Sequence, residues 1–252
     1  MTTTGMIYDY LNSLAPFETQ MGFDNSGLLI GSVQRQVDRV MVALDASLPA
    51  AVQAAERHCQ LLITHHPVIF RPAKSISGDG AVYRLISGGV DVISAHTNLD
   101  IAEGGVNSCL ADALGFAGFE RPEWLELGVC GTLDRATSAA ELGEYVAKKL
   151  ACDGVRVVDG GKPVRSVALI GGSGGSEWST LADHVDALIT GEARHNEIIE
   201  ARDAGFTLII AGHYETESVV VAPLCRMLSE RFPEVEFICA DEPNPVTVTG
   251  QR

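Results

Sequence analysis

The sequence contains no apolar run approaching the roughly 20 residues needed to span a bilayer. Its longest contenders, "LLIT" and "TLIIAG", have strand length. The N-terminal stretch "MTTTGMIYDYLNSL" lacks a basic segment followed by an apolar core, so no secretory leader is expected. The six cysteines (Cys59, Cys109, Cys130, Cys152, Cys225, Cys239) form no C-x-x-C pair, and a chain of 252 residues needs no disulfide scaffold. Reduced thiols and a cytoplasmic location are the expectation. Basic residues are scarce, with 18 Lys and Arg against 33 Asp and Glu and a formal net charge of −15. That balance argues against nucleic acid and anionic membrane as partners, although it leaves room for a local basic pocket. Low-complexity tracts are absent too. With 46% hydrophobic and 20% charged residues, the chain reads as globular, with core enough for one large domain or two smaller ones.

What is present is an alternation of short apolar runs with helical ones. "RVMVALDAS" (39–47) reads as a strand and turn, "LPAAVQAAERHC" (48–59) as a helix, and "QLLITHH" (60–66) as a strand. "AVYRLISGG" (81–89) has helical spacing, "VDVISAH" (90–96) is a strand, and "GVNSCLADALG" (105–115) is a helix. The second half repeats the rhythm. A strand and glycine-rich turn at 164–176 precede a helix at 178–185, a strand at 186–192, a helix at 195–205, a strand at 206–213, a helix at 217–232 and a strand at 235–240. Continuous apolar strands between helices predict an α/β fold with buried sheets. The segment 120–135 interrupts the alternation and is the candidate boundary.

The two halves share more than rhythm. "LIT" at 62–64 matches "LIT" at 188–190, and a later strand in each half runs into an H-x-x-x-acid pattern, His96 with Asp100 and His213 with Glu217. The predicted architecture is two similar α/β domains, an old duplication being one explanation and convergent α/β patterning the other. The expected division is 1–126, with the His-His and H-x-x-x-D motifs, and 127–252, with the H-x-x-x-E motif. The last strand is a candidate to return to the first domain.

Polar groups gather at equivalent strand ends: His65, His66, His96 and Asp100 in one half, Glu192, His195, His213 and Glu217 in the other. In α/β sheets ligands bind beyond the carboxyl ends of the strands. If the halves face each other there, these groups make a nitrogen and oxygen ligand set without thiolate, suited to Zn, Mn, Fe, Co or Ni. In an extended strand the neighbours His65 and His66 would point to opposite faces. A turn at the strand end could bring both to one cleft, each addressing a different ion of a pair, with Glu217 or Asp100 bridging. An ordinary polar strand end stays open beside this reading. So does a helix-starting role for Glu192 and His195 in place of acid–base work. His58 and His184 lie in charge-rich helical surroundings and are read as surface residues. "IGGSGGS" (170–176) fits neither G-x-G-x-x-G nor G-x-x-x-x-G-K-[ST], so a tight turn is preferred to an anion cradle.

Taken in order, "FDNSGLLIG", "LITHHPVIF", "SAHTNLDIAEGGVNSCLADALG", "GGSGGS", "ALITGEARHNEIIEA" and "AGHYETE" resemble the Nif-three-like dinuclear-metal family, often labelled GTP cyclohydrolase I type 2 homologues. The resemblance runs over nearly the whole chain. It implies two α/β domains packed across a metal-binding cleft and a homohexameric ring. It also implies two divalent metal ions per chain, held by His65, His66, Asp100, His213 and Glu217. His96 is not a usual ligand of the family and is assigned to orient a ligand or a water. About 61 residues separate Gly104 from Arg165, which excludes the extra domain that some members carry there. The implied function is a metal-dependent hydrolase that uses a metal-activated water on a small molecule, a nucleotide being one candidate, with Glu192, His195 and His96 as candidate proton-transfer groups. The alternative is a non-catalytic metal-binding regulatory or scaffold protein.

Overall fold

A computed structural model describes residues 1–249 of the chain. The chain runs through α1 (Thr4–Leu14), β1 (Gly27–Ile30), β2 (Arg39–Ala43), α2 (Leu48–Glu56), β3 (Leu61–Thr64), α3 (Ala81–Ser87), β4 (Asp91–Ser94) and α4 (Thr97–Ile101). It continues through α5 (Val106–Leu114), β5 (Val129–Thr137), α6 (Ala139–Lys149), β6 (Arg156–Val158), β7 (Val164–Ile170), α7 (Trp178–Leu181), β8 (Ala187–Thr190), α8 (His195–Asp203), β9 (Thr207–Ile210) and α9 (His213–Glu217). It ends with α10 (Val221–Arg231) and β10 (Glu236–Cys239).

Two compact units result, Met1–Gly105 with Val220–Pro243, and Val106–Val219 with the stretch that begins at Asn244. The division therefore falls at Gly105/Val106 and not at the expected 126/127. The segment that breaks the alternation is not a linker, because it leads into β5, the edge strand of the second sheet. The expected helix over 217–232 is also interrupted. A 3-10 turn at Ser218–Val220 separates α9 from α10, and the chain changes unit there.

The first unit holds a five-stranded sheet in the order β1-β4-β3-β2-β10. β10, β2, β3 and β4 are parallel, and β1 closes the edge antiparallel. The last strand thus returns to the first sheet. β3 and β4 are buried at every position, which is why β3 reads as an apolar run, while β4 places Asp91 and Ser94 at the ends of its apolar centre. α2 starts on Ser47, whose hydroxyl accepts from the Ala50 N–H. Its alanines (Ala50, Ala51, Ala54) pack with Met41, Leu62, Leu85 and Val92. One buried charge ties the unit together. Asp91, 1% exposed, accepts from the Arg35 Nε at 2.7 Å and the Thr4 hydroxyl at 2.9 Å.

The second unit holds the sheet β5-β7-β8-β9-β6, with a parallel centre (β7, β8, β9) and antiparallel edges. Its strands alternate between two apolar layers. Val167 and Leu169 pack with Leu110, Leu142 and Val146, while Ala168 and Ile170 pack with Leu181 and Ala201. α7 occupies only the first part of the expected 178–185 helix.

The shared α/β order is real in the three central strands of each unit. β3 and β8 begin 126 residues apart (187 − 61) and β4 and β9 begin 116 apart (207 − 91). The H-x-x-x-acid match, with its offset of 117, is therefore displaced by one position. His96 caps α4, whereas His213 is the first residue of α9 and Gly212 is its cap.

Candidate metal centre

Sheet geometry places the histidines of the first unit. At the end of β3 the N–H groups of both His65 and His66 donate to the Leu44 carbonyl, at 3.1 and 3.0 Å. The chain turns there instead of alternating. The Thr64 hydroxyl staples the turn by donating to the His66 carbonyl at 2.8 Å. Pro67 follows with no N–H to continue the ladder. The two imidazoles consequently lie side by side, with ring centroids 4.8 Å apart. His96, at the end of β4, brings a third ring 5.0 Å from His65 and 5.5 Å from His66. Ligand nitrogens of all three lie within 4.8 Å of one another. Asp100, from α4, has Oδ1 3.7 Å from His65 Nε2.

Each ring is oriented through Nδ1. His65 Nδ1 lies 3.0 Å from the Ala95 carbonyl, His66 Nδ1 2.8 Å from Asp45, and His96 Nδ1 2.9 Å from Asp24. A carbonyl only accepts, and so does an ionised carboxylate. Nδ1 is therefore the protonated nitrogen of each neutral ring, and Nε2 presents its lone pair. This is the tautomer that metal-ligating histidines adopt when an outer oxygen fixes them. Asp24 is itself tightly held. Burial pushes its carboxyl up, but hydrogen bonds from His96, Thr97 and the Asn25 N–H outweigh that and keep it well below the usual carboxylate range. Beside Asp45, the Glu242 carboxylate accepts from the Leu44 N–H at 2.7 Å, and burial raises its pKa.

In the second unit His213 opens α9, directly after Gly212 at φ +100. Its Nδ1 lies 3.2 Å from Glu192 Oε1, and its Nε2 lies 3.0 Å from Glu217 Oε2. A neutral imidazole donates from only one nitrogen, so the second carboxylate contact is one that a shared metal ion, a second ring proton or a protonated carboxyl would satisfy. Glu217 is 4% exposed. Its carboxylate has room because Gly172 has no side chain. A Cβ at that position would overlap Glu217 Oε1 and stand 3.1 Å from His213 Nε2. The glycine-rich turn therefore serves as a wall of this group. Its amides are used internally: those of Gly171, Gly172 and Gly174 donate to Asn107, Thr216 and Thr190. Glu192 also accepts from the Ser173 hydroxyl at 2.7 Å, and a cavity of about 390 Å³ lined by Arg156, Ser176 and Arg194 opens beside it.

The donors fit a hard or borderline divalent ion: imidazole nitrogen and carboxylate oxygen, with outer oxygens already in place. The cysteines do not compete. Burial pushes Cys59 and Cys152 up to about 11 and Cys225 up to about 12, so they stay thiols at neutral pH. Of the residues singled out in the sequence, His65, His66, His96 and Asp100 come together in one unit and Glu192, His213 and Glu217 in the other. His195 does not join them. It is exposed on the first turn of α8 and enters no cluster of ligand atoms among the described residues. Asp24 and Asp45 were missed. His58 and His184 are exposed, as expected, with His184 stacked on Trp124 at 4.1 Å.

An α/β chain of two five-stranded sheets, with imidazoles and carboxylates capable of holding a metal at its strand ends, defines the class. The chain belongs to the Duf34/NIF3 (NGG1p interacting factor 3) family, whose model matches residues 2–245. It is similar to a protein named GTP cyclohydrolase 1 type 2 homolog of Clostridium acetobutylicum, at 30% identity over 226 residues, 84% of each chain. It is also similar to GTP cyclohydrolase 1 type 2 of Helicobacter pylori strain J99, at 33% over 217 residues, 84% of this chain and 85% of that one. Among solved structures it matches the Staphylococcus aureus hypothetical protein SA1388 with a TM-score of 0.89 at 25% identity, over 98% of this chain and 99% of that one. Reduced HcgD from Methanocaldococcus jannaschii matches with a TM-score of 0.82 at 26% identity, over 96% and 98%. No helix among the described residues is long and apolar enough to cross a membrane.

Proposed function

We propose that this chain is a metal-dependent hydrolase of small, nucleotide-like molecules, with two divalent ions per chain held by His65, His66, Asp100, His213 and Glu217. The observation that carries the reading is the common orientation of the rings. Each of the four imidazoles turns Nδ1 to an oxygen, three of them to a carboxylate and His65 to a carbonyl. Such a shell is of little use to solvated surface histidines and of direct use to ligands. The names of the relatives supply the nucleotide. The cavity beside Glu192 gives a small molecule room, and its two arginines offset the acidic surroundings.

When bound, the ions would supply Lewis acidity toward a substrate oxygen and a lowered pKa for water. The chain's own groups handle the proton. Glu192 is fixed by Ser173 and His213 yet its side chain is 56% exposed, so it can take a proton from water and return it. His96, anchored by Asp24, offers a basic Nε2 beside His65 and His66 and is the second proton-holding group. His195 is assigned no role. In this proposal the chain works in the cytoplasm as a homohexameric ring, which light scattering would test by mass.

The deciding experiment is a panel of nucleotides, phosphodiesters and cyclic amides assayed with Mn, Zn, Fe and Co in turn. Turnover by the wild type, lost in Glu217→Gln with the fold retained, supports the hydrolase. A metal-loaded protein that turns over nothing in the panel replaces it with the metal-binding regulatory or scaffold role.

A further inference from the structure

Two large apolar side chains stand in the open next to the imidazoles of the first unit. Phe23 is 64% exposed and Phe70 41% exposed. They come from different loops, Phe23 adjacent to Asp24 and Phe70 four residues beyond His66, and their ring centroids are 6.4 Å apart. The planes meet at 59°, so neither ring covers the other's face. Phe70 stands edge-on to His96, with centroids 6.0 Å apart at 85°. The rings thus continue the row of imidazoles outward.

Both loops are held in place. The Asn25 side-chain amide donates to the Ile69 carbonyl and ties one loop to the other. The Met21 N–H donates to the Thr97 hydroxyl at 2.9 Å, and that hydroxyl donates to Asp24 at 2.6 Å. The Ser26 N–H donates to the Gln20 side chain at 2.6 Å. Isolated exposed apolar residues are common on protein surfaces. A pair of rings, cross-tied and set beside candidate ligands, is a different arrangement, because it presents aromatic faces at a fixed place. A flat π system is the partner such faces take up best.

We infer that Phe23 and Phe70 are the stacking wall of the site, and that its substrate carries a flat aromatic ring laid against them with the reacting edge toward His96, His65 and His66. This rests on the reading of the imidazole cluster as a catalytic metal centre. It adds to that reading two binding residues and the part of the substrate they take, the flat ring. Phe70, the ring nearer His96, would set how the flat ring is positioned, and Phe23 would widen the platform.

The test is calorimetric titration of the full-length protein, loaded with Mn, using GTP, guanosine, a pterin and a flavin as ring-bearing probes and tripolyphosphate as the ring-free probe. Phe70→Ala and Phe23→Leu should weaken the best ring-bearing probe about 5- to 150-fold, the range of one base–aromatic stack. Phe70→Trp should hold or tighten it, and tripolyphosphate should bind all variants alike. Neither side chain is part of the buried core, so the variants should fold, and circular dichroism with light scattering will verify fold and mass. Equal weakening of tripolyphosphate, no change in any probe, or a wild type that binds no ring better than tripolyphosphate overturns the inference. So does a changed assembly mass in Phe70→Ala with ring binding intact, which would make the rings a contact between copies. Ring selectivity without turnover under any metal sinks the hydrolase and leaves the stacking wall standing. Turnover without ring selectivity does the reverse.

Discussion

Gly172 offers a sharp test of how the second unit's candidate metal-binding group is built, because the clash it avoids can be separated from its backbone conformation. Its φ is +59, where an L-residue pays about 1–2 kcal/mol. An added Cβ would also overlap Glu217 Oε1, and Glu217, 4% exposed, has no open space to retreat into. Overpacking of that kind costs about 1–3 kcal/mol. Gly172→Ala should therefore destabilise by about 2–5 kcal/mol. Gly161 is the control. Its φ is +74 and a Cβ there meets nothing within 4 Å, so Gly161→Ala carries only the backbone cost. Guanidinium unfolding of the metal-free protein measures both. In a Glu217→Ala background the overlap with Glu217 disappears and only the 3.1 Å approach to His213 Nε2 remains, so Gly172→Ala should then cost little more than Gly161→Ala. Calorimetric titration with Zn or Mn should show metal affinity about 10- to 100-fold lower in Gly172→Ala, the size of effect found for outer-shell support, and no change in Gly161→Ala. Equal costs for the two alanines, with metal affinity unmoved in both, would refute the reasoning.

Three further outcomes are expected. Asp24→Asn removes a carboxylate that holds His96 and Thr97, at a cost of about 2–3 kcal/mol near neutral pH. Because the folded carboxyl titrates below its ordinary 3.8, its contribution is complete above that pH and fades as pH falls through the lower folded value. The gap between wild type and variant in urea unfolding should accordingly shrink only below about pH 4. Asp91→Ala should cost about 3 kcal/mol, the low end for breaking a buried pair, because Arg35 is 39% exposed and can turn to water. Thiol labelling of the native protein at neutral pH should reach the exposed Cys239 first, with Cys59, Cys152 and Cys225 slow until the chain unfolds.

The central strands were legible because burial on both faces leaves an unbroken apolar run, as in "LLIT" and "ALIT". The edge strand β5, whose burial pattern is mostly exposed or half-exposed, carries no such signal and passed as a pause in the alternation. His65, His66, His213 and Glu217 stood out as polar residues where apolar runs stop. Asp24 and Asp45 did not, because an aspartate in "FDNS" or "LDAS" reads as a turn residue, and their partners His96 and His66 lie 72 and 21 residues along the chain. Only the folded sheet makes those pairs neighbours. The one-residue displacement between the H-x-x-x-acid patterns was hidden for a similar reason. Letter matching aligned the histidines, whereas the strands and helices align His96 with Gly212.

Metal content bears most directly on the central claim. Plasma mass spectrometry on protein purified without chelator, and again after reconstitution with Mn, Zn, Fe or Co, should find about two ions per chain. The count should fall in His66→Ala and in Asp45→Asn at limiting metal, while His195→Ala keeps the wild-type count. A wild type that takes up none of these metals after reconstitution would contradict the account.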